Sequence, residues 1–475
     1  MEKLNFTRQL IKYPMFLLVS SVAKRMGVKV YVVGGFVRDL ILGVDNDDID
    51  FVCVGDGIKL AEKFSKVVGG ELTVYENFGT AMVMVPKYGN IKVEFVGARK
   101  EAYERGSRKP FVFNGTLEDD LNRRDFTINA MCISINKEDF GDLIDLFGGV
   151  DDLRDGIIRC VGTPEERFME DGLRMLRCIR FKCKLSRPGK EFHIAISTAD
   201  AIKKCKEEVK TLSGERIKEE LNKILLTQRP SKGLLWLEET GLLEYILPEV
   251  HALKMPEDKG HKDIFDHTIR VLDNVADMSD SLTLRWAALL HDIGKVKTKR
   301  YSKKEGWTFF SHAAEGAKMV EGIFRRLHLP MDMAEHVRKL VDMHMRPTTL
   351  AEEGVTDSAI RRLLFDAGDD IDDLLILAKC DVTTKYEEKR TKIYDNLLVI
   401  EKHMKEVEEK DAIRNFKNPI TGDYIMETFG IGPCKTIAVL KDAVKDAILD
   451  GVIGNNFEEA EAFVKEKAKE IGLCS

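Results

Sequence analysis

The arrangement of apolar and polar positions changes near residue 160 of this 475-residue chain. In the first part, short apolar or alternating runs predict strands, and helical segments lie between them. The predicted strands cover residues 28–33, 49–54, 80–85, 91–95 and 131–135. After Pro164, amphipathic runs with helical spacing take over, such as 168–185 and 216–226. The pattern predicts an α+β fold, with one mixed-sheet domain followed by helical domains.

Breaks in this pattern divide the chain into four predicted domains. A chain of this length exceeds the size at which a single hydrophobic core usually splits. Residues 247–262 contain Pro248, Pro256 and Gly260, and this composition predicts a loop at a domain boundary. The predicted domains are 1–158, 159–246, 247–410 and 411–475.

Composition and charge exclude some classes of protein. No run of eighteen apolar residues occurs, so we expect no membrane span. Nine cysteines without a paired spacing indicate reduced thiols and a cytoplasmic protein. The net charge of −6 argues against nucleic-acid binding by the whole surface, although two local basic clusters leave binding open. The clusters are Arg99, Lys100, Arg105, Arg108, Lys109, Arg123 and Arg124, and Lys295, Lys297, Lys299, Arg300, Lys303 and Lys304.

Two acidic side chains follow a glycine pair in the first domain. Gly34 and Gly35 come directly after a predicted buried strand and would let the backbone approach a phosphate closely. Asp48 and Asp50 alternate with apolar residues on the next strand, so both carboxylates face one side. Alone, the two aspartates would fit a solvated turn. With the glycine pair they predict a site for Mg²⁺ carrying nucleotide phosphates.

Further charged residues complete the predicted chemistry. Two metal ions need a third carboxylate, and Glu94 faces away from the core on the strand at 91–95. The adjacent Arg123 and Arg124 could neutralise a triphosphate, or could simply flank the start of a helix.

A stripe of charged side chains is predicted on a helix that includes residues 170–181. Asp171 and Arg174 are three residues apart, and Arg177 and Arg180 continue the stripe. A surface ion pair would explain the first two. A fixed acceptor beside a fixed donor could also pair with the edge of a nucleotide base.

Six motifs in order resemble the bacterial class of the tRNA nucleotidyltransferase and poly(A) polymerase family. They are Gly34-Gly35-x-x-Arg38-Asp39, Asp48-x-Asp50, Arg123-Arg124-Asp125-Phe126-Thr127-x-Asn129-Ala130, Phe147-Gly148-Gly149, Glu170-Asp171-x-x-Arg174 and Ser213-Gly214-Glu215-Arg216. The resemblance implies a nucleotidyltransferase head of the polymerase-β type at 1–158, a helical neck at 159–246, a body at 247–410 and a helical tail at 411–475.

The same resemblance implies roles for individual residues. Asp48 and Asp50 would hold catalytic Mg²⁺, with Glu94 as the third carboxylate. The triphosphate would contact Gly35, Arg38 and Arg124. Asp171 and Arg174 would select CTP and ATP without a nucleic-acid template, supported by Arg177 and Arg180. The reaction would be attack of a tRNA 3′-hydroxyl on the α-phosphate, with release of pyrophosphate.

Histidines and aspartates of the third domain form a second pattern. Imidazole and carboxylate groups on helices suit a divalent transition metal. The segment 261–390 resembles the HD phosphohydrolase superfamily, which implies a four-ligand set with two further ligands found in two-metal members. The four are His267, His291, Asp292 and Asp381, and the two are His312 and His344. An inherited helical scaffold without activity is the alternative.

Several functions share these motifs. The first expectation is a CCA-adding tRNA nucleotidyltransferase that binds tRNA, CTP and ATP. Enzymes that add only CC or only A, and poly(A) polymerase, are the nearest alternatives. The segment 97–120 differs between some of these enzymes, but its polar composition here does not decide between them. A metal-dependent HD phosphohydrolase with an RNA-recognition head is the alternative from another class, and a non-catalytic RNA-binding protein is a weaker third.

Overall fold

A computed structural model describes residues 4–76, 79–86, 89, 91–102, 111–254, 263–304, 306–353, 356–384, 386–411 and 416–473. Arg105, Arg108 and Lys109 of the first basic cluster lie outside these residues. The chain forms two compact units. The N-terminal unit comprises residues 1–224 and 235–246, and the C-terminal unit comprises 225–234 and 247–475. Among the described helices, none is long and apolar enough to cross a membrane.

The strands lie mostly before residue 160. Strands β1–β13 span Lys29–Val33, Asp48–Val54, Glu71–Tyr75, Thr80–Val85, Ile91–Gly97, Arg99–Ala102, Phe111–Asn114, Met131–Ser134, Leu143–Asp145, Ile157–Ile158, His193–Ile194, Arg300–Ser302 and Gly306–Thr308. Seven of them form one sheet in the order β3-β4-β5-β2-β1-β8-β9. Strands β2 and β5 are parallel, while every other pair in this sheet is antiparallel. The mixed sheet confirms the predicted fold class.

Helices fill the rest of the described chain. Helices α1–α13 span Thr7–Leu10, Pro14–Met26, Gly35–Leu42, Gly57–Val68, Leu117–Asn122, Gly149–Asp155, Pro164–Glu170, Leu173–Leu185, Ile196–Cys205, Gly214–Leu225, Pro230–Glu239, Leu243–Ile246 and Pro248–His251. Helices α14–α25 span Ile264–Met278, Leu282–Leu290, Lys295–Thr298, His312–Arg326, Met331–Met343, Arg346–Glu353, Asp357–Ala367, Ile371–Asp381, Glu387–Asp411, Gly422–Phe429, Lys435–Leu449 and Phe457–Glu470.

A chain of aromatic rings forms the core beneath the large sheet. Phe51 of β2 stacks on Phe95 of β5 with ring centroids 5.3 Å apart. Phe16 and Phe64, from α2 and α4, contact these two rings and are fully buried. Burial of each phenylalanine contributes about 2–3 kcal/mol. The core therefore fixes one face of β2 and β5, and the polar residues that alternate with it lie on the other face.

The single helix predicted across residues 168–185 is wrong. Helix α7 ends at Glu170, Asp171 adopts an extended backbone (φ −153°, ψ 103°), and α8 begins at Leu173. Helical spacing continues through the break in the sequence, so the apolar pattern could not reveal it. Gly172 directly precedes the first residue of α8 and does not lie within a helix.

Across its described residues, the C-terminal unit is helical, as predicted, except for one β-hairpin. Helices α14, α15, α18 and α21 enclose a core in which Trp286 contacts Phe324 of α17. Strands β12 and β13 pair antiparallel between α16 and α17. The first strand of the hairpin lies inside the second basic cluster, where the run of basic residues obscures the two-residue alternation of a strand.

Candidate active site and candidate metal centre

Three carboxylates lie on one face of β2 and β5, opposite the aromatic core. The parallel register places Asp50 beside Glu94, and Asp48 precedes Asp50 by two residues on the same face. Burial and the neighbouring Asp48 and Glu94 carboxylates raise the pKa of Asp50 to about 7. A divalent cation would remove this repulsion, and carboxylate oxygens are the donors that Mg²⁺ prefers. These residues therefore fit the metal site expected from the sequence.

The glycine pair lies against these carboxylates. Gly34 has φ +71°, a conformation that glycine adopts without strain, and α3 begins at the next residue. A Cβ atom on Gly34 would be 3.1 Å from Nη1 of Arg124 and 3.8 Å from Oδ2 of Asp50. The turn thus brings bare backbone between a guanidinium and a carboxylate, as a bound phosphate would require.

A cleft of about 910 Å³ in the N-terminal unit is lined by nearly all of the residues predicted for catalysis and nucleotide binding. Glu94 is not among its lining residues, although it neighbours Asp50 in the sheet. The predicted residues that line the cleft are Gly35, Arg38, Asp48, Asp50, Arg124, Asp171, Arg174, Arg177 and Arg180. Residues more than 120 positions apart in the sequence thus surround one space. Ten of the lining residues are basic and five are acidic, so the cleft suits a polyanion.

The arginines nearest the glycine pair donate hydrogen bonds to buried carboxylates. Arg38 is buried, donates to both oxygens of Asp39 at 2.7 and 2.8 Å, and donates to Asn129 at 2.8 Å. Arg124 donates to the fully buried Asp120 at 3.0 Å, and Arg123 donates to the other oxygen of the same carboxylate. Burial opposes ionisation of Asp120, but the two guanidinium groups lower its pKa. These contacts hold each arginine in one orientation.

The arginines of α8 follow the same arrangement. Arg177 pairs with Asp125 at 2.6 Å, and Arg180 pairs with Glu220 at 3.0 Å. Burial opposes ionisation of Asp125, but Arg177 lowers its pKa. The Arg180 guanidinium also lies over the ring of Phe181, with its carbon 4.4 Å from the ring centroid. Such contacts stabilise planar guanidinium groups.

Asp171 and Arg174 do not pair with each other, although three residues separate them. Asp171 accepts from Arg216 of α10 through both carboxylate oxygens, at 2.8 and 3.1 Å. Arg174 donates to Glu170 at 2.7 Å and to the backbone carbonyl of Arg123 at 2.9 Å. The surface ion pair considered from the sequence is therefore absent between these two residues, because the helix breaks between them.

The sequence did not reveal the residues that hold the arginines, nor two lysines of the cleft, Lys184 and Lys223. Asp39, Asp120, Asp125 and Glu220 are scattered acidic residues with no common spacing. Only Asp39 and Asp125 belong to a motif that the sequence singled out. Lys184 also lines the cleft, and burial lowers its pKa. Its position four residues after Arg180 on α8 was the available signal.

The six predicted metal ligands of the C-terminal unit all converge. They form two groups of three, His267 with His291 and Asp381, and Asp292 with His312 and His344. Asp292 lies between the groups: its Oδ2 is 3.3 Å from Nε2 of His291, and its Oδ1 is 3.4 Å from Nε2 of His312. Asp292 would therefore be placed to contribute a ligand to a metal ion in either group.

Contacts behind the ligands favour metal binding through the Nε2 atoms. The Nδ1 atoms of His291, His312 and His344 contact backbone carbonyls at 2.7–2.9 Å. Such contacts fix the tautomer that leaves Nε2 as the ligand. Oδ1 of Asp292 is buried without a hydrogen-bond partner. Burial opposes ionisation of Asp292, but His291 and Lys295 hold its pKa well below the usual range. The residues present therefore fit a divalent metal.

A second, smaller cavity opens beside these ligands. Its volume is about 290 Å³, and its lining combines polar and apolar side chains. They include His267, Asp381, Lys295, Lys389, Phe309 and Thr383. Thr383 contacts Nδ1 of His267 at 2.7 Å, so the cavity reaches the metal ligands.

Three family models match successive parts of the chain. They describe a "Poly A polymerase head domain" at residues 30–159, a "Probable RNA and SrmB- binding site of polymerase A" at 191–254 and an "HD domain" at 264–385. The nucleotidyltransferase and HD domains both imply divalent metal ions.

Curated relatives are about one-third identical to this chain over the residues that align. A multifunctional CCA protein of Pseudomonas fluorescens is 35% identical over 320 residues, which are 65% of this chain and 72% of that protein. An A-adding tRNA nucleotidyltransferase of Geobacter sulfurreducens is 34% identical over 347 residues, 72% of this chain but only 35% of that longer protein. A CCA-adding enzyme solved in its apo form superposes with a TM-score of 0.66 at 23% identity, covering 99% of both chains.

These similarities agree with the geometry of the cleft. The chain belongs to the tRNA nucleotidyltransferase and poly(A) polymerase family, and it carries an HD domain. It is therefore a nucleotidyltransferase, as the six sequence motifs predicted.

Proposed function

We propose that this protein is a CCA-adding tRNA nucleotidyltransferase, which adds CTP and ATP to the tRNA 3′ end without a nucleic-acid template. The observation that carries the proposal is the single cleft that contains both the carboxylates of β2 and the charged residues around the start of α8. Chemistry and base selection can thus act on one bound nucleotide. The curated relatives include both multifunctional CCA proteins and an A-adding enzyme.

Asp48, Asp50 and Glu94 would hold Mg²⁺ in this proposal. Bound Mg²⁺ would assist attack of the tRNA 3′-hydroxyl on the α-phosphate and neutralise the leaving pyrophosphate. The bare backbone at Gly34 and Gly35 would let the triphosphate approach closely. The arginines that line the cleft would neutralise its charge.

Asp171 and Arg174 would select the base. Cytosine and adenine both present an exocyclic amine donor beside a ring-nitrogen acceptor. Asp171 would accept from the amine, since a carboxylate that already binds Arg216 retains further lone pairs. Arg174 would donate to the ring nitrogen. Uracil and guanine present an oxygen and an N–H instead, and would leave both residues mismatched.

Incorporation of labelled nucleotide tests the proposed chemistry. We expect Mg²⁺-dependent transfer of labelled CTP to a tRNA that lacks its 3′ tail. The double variant Asp48→Ala, Asp50→Ala should remove the transfer. Incorporation that persists in this variant, or that needs no divalent ion, would exclude the proposed site. Because the proposed substrate is tRNA, we also propose a cytoplasmic location. The domain boundaries predicted from the sequence, for the head, neck, body and tail, are part of the same proposal.

The HD domain supports a second proposed activity, hydrolysis of phosphoesters. The observation that favours it is Asp292, placed between two groups of metal ligands. A divalent transition metal there would supply a nucleophilic hydroxide. A 2′,3′-cyclic phosphate at a damaged RNA end is the substrate class that we propose, and addition of one water would open the ring to a phosphomonoester. A purified protein that is inert on cyclic nucleotides and phosphomonoesters with Mn²⁺, Ni²⁺, Fe²⁺ and Zn²⁺ would refute it.

A further inference from the structure

The second basic cluster forms an exposed surface beside the metal ligands of the C-terminal unit. Between residues 293 and 304 the sequence carries six basic residues and no acidic one, in a chain whose net charge is −6. The structure folds this segment into α16 and the first strand of the β12–β13 hairpin. We define the hairpin surface as Lys297, Lys299, Arg300, Tyr301, Lys303, Lys304 and Phe310.

Aromatic rings are interleaved with these cations. Tyr301 is 64% exposed and Phe310 is 72% exposed, and both lie close to the basic residues in the sequence. Tyr301 lies opposite Trp307 in the hairpin register, with ring centroids 5.1 Å apart. The Lys299 ammonium lies 4.2 Å from the Trp307 ring centroid. The hairpin therefore holds an aromatic platform beside positive charge.

The hairpin is connected directly to the candidate metal centre. It lies in the sequence between the ligands His291 and Asp292 on one side and His312 on the other. The backbone carbonyl of Phe309 contacts Nδ1 of His312 at 2.9 Å, and Phe309 lines the cavity beside the ligands. Lys295, at the other end of the segment, contacts Asp292 at 2.6 Å. A nucleic-acid strand bound along the hairpin would thus end at the cavity.

We propose that the hairpin surface binds single-stranded RNA and guides its 3′ end into the cavity beside the six metal ligands. Lysines that follow a phosphate backbone, together with exposed rings on which bases stack, are the combination used by proteins that bind single strands without sequence preference. The cavity of about 290 Å³ is large enough for a terminal nucleotide rather than for a duplex. The delivery step rests on the proposed phosphohydrolase activity, whereas RNA binding does not.

Fluorescence anisotropy of the full-length protein tests the binding. The probe is a ten-nucleotide RNA with a 5′ fluorophore and a 2′,3′-cyclic phosphate end, which cannot accept a nucleotide. We expect Tyr301→Ala to weaken binding at least fivefold, because stacking on one ring is lost. The double variant Lys303→Glu, Lys304→Glu should weaken it at least tenfold and reduce the dependence on salt. The matched variants Phe457→Ala and Lys435→Glu, Lys469→Glu alter exposed residues of the tail and should bind as the wild type does.

Two further measurements locate the RNA and separate the two proposals. With 4-thiouridine near the 3′ end of the RNA, cross-links should fall on residues 297–310. Cross-links entirely elsewhere, or unchanged affinity in the hairpin variants, would overturn the proposed RNA-binding surface.

Hydrolysis of bis(4-nitrophenyl) phosphate reports the activity of the metal centre without bound RNA, and the hairpin variants should retain this hydrolysis. If the wild type lacks this hydrolysis, the phosphohydrolase proposal fails while the binding result still stands. Hairpin-dependent binding of phosphatidylglycerol vesicles, without an effect on RNA, would also overturn the proposal.

Discussion

Individual carboxylates determine where the cationic side chains of the cleft point. Arg38, Arg124, Arg177 and Arg180 each pair with an acidic residue that the cleft largely hides. An arginine held in this way loses little further rotational entropy when a phosphate binds. In the proposed site, these acidic partners would therefore contribute to nucleotide binding although most of them lie behind the arginines.

Asp120→Asn tests this arrangement at its most buried carboxylate. The substitution preserves shape but removes the charge shared by Arg123 and Arg124, and breaking such a pair costs about 3 kcal/mol. We expect a lower thermal midpoint and a higher KM for CTP. Asp151→Asn is the matched control, since Asp151 pairs with Arg154 at the same three-residue spacing but on the surface. If Asp151→Asn lowers the thermal midpoint and raises the KM for CTP as much as Asp120→Asn does, the account is contradicted.

Arg216→Ala tests the orientation of Asp171. The pair is partly exposed, with 44% and 27% of the two side chains accessible, so its loss should barely change the unfolding midpoint. Without Arg216, Asp171 would rotate more freely, and discrimination of CTP over UTP should fall about tenfold, equivalent to about 1.4 kcal/mol. The ratio of kcat/KM for the two nucleotides measures this. An unchanged ratio would show that Arg216 does not position Asp171.

The sequence predicted the positions of side chains where these depend on local spacing. Asp48, Asp50 and Glu94 alternate with buried residues, and this pattern alone predicts the face on which they meet. The partners Arg177 and Asp125 are 52 residues apart, and Asp171 and Arg216 are 45 residues apart. Such pairs depend on how elements pack together, which no local periodicity records.

At the scale of elements, a parallel strand pair and a helix break shape the candidate active site. The parallel pairing of β2 and β5 aligns Asp50 with Glu94. The break between α7 and α8 frees Asp171 from helical geometry and lets it reach α10. The strands were predictable because their apolar runs are strong. The break was not, since apolar spacing continues across Gly172.

Two backbone segments pack closely against each other beside the candidate metal centre. A Cβ atom on Gly294 would lie 2.0 Å from the carbonyl oxygen of His312, so Gly294→Ala must displace the backbone beside that ligand. We expect a loss of about 2–3 kcal/mol in unfolding free energy and weaker Mn²⁺ binding by calorimetry. Gly322→Ala, on the adjacent helix α17 with nothing near its Cβ position, should instead gain about 0.5–1 kcal/mol. Equal changes in unfolding free energy for Gly294→Ala and Gly322→Ala would show that close packing at Gly294 is not the cause.

At the scale of the whole molecule, the chain carries two separate sets of chemistry-bearing residues. The cleft lies in the N-terminal unit, and the six metal ligands lie in the C-terminal unit. Both sets were predictable from sequence because each belongs to ordered motifs. The division of the chain into two compact units, with residues 225–234 joining the second, was not predictable, because it depends on long-range contacts.

Separate sites predict separable losses. Asp48→Ala, Asp50→Ala should abolish nucleotide addition and leave phosphoester hydrolysis intact. His291→Ala should remove hydrolysis and leave nucleotide addition intact, since the ligand lies in the other unit. Parallel assays of both purified variants check this. Loss of both activities in either variant would contradict the assignment of one activity to each unit.

The central claim is that one cleft adds both C and A to tRNA. Transcripts that end without a tail, after one C and after CC are incubated with CTP, ATP or both, and the products are sequenced. The account predicts completion of each transcript to CCA when both nucleotides are present, and addition of a single A to the CC transcript with ATP alone. With both nucleotides present, products that stop at CC, extension of the CC transcript alone, or a long tract of A would contradict it.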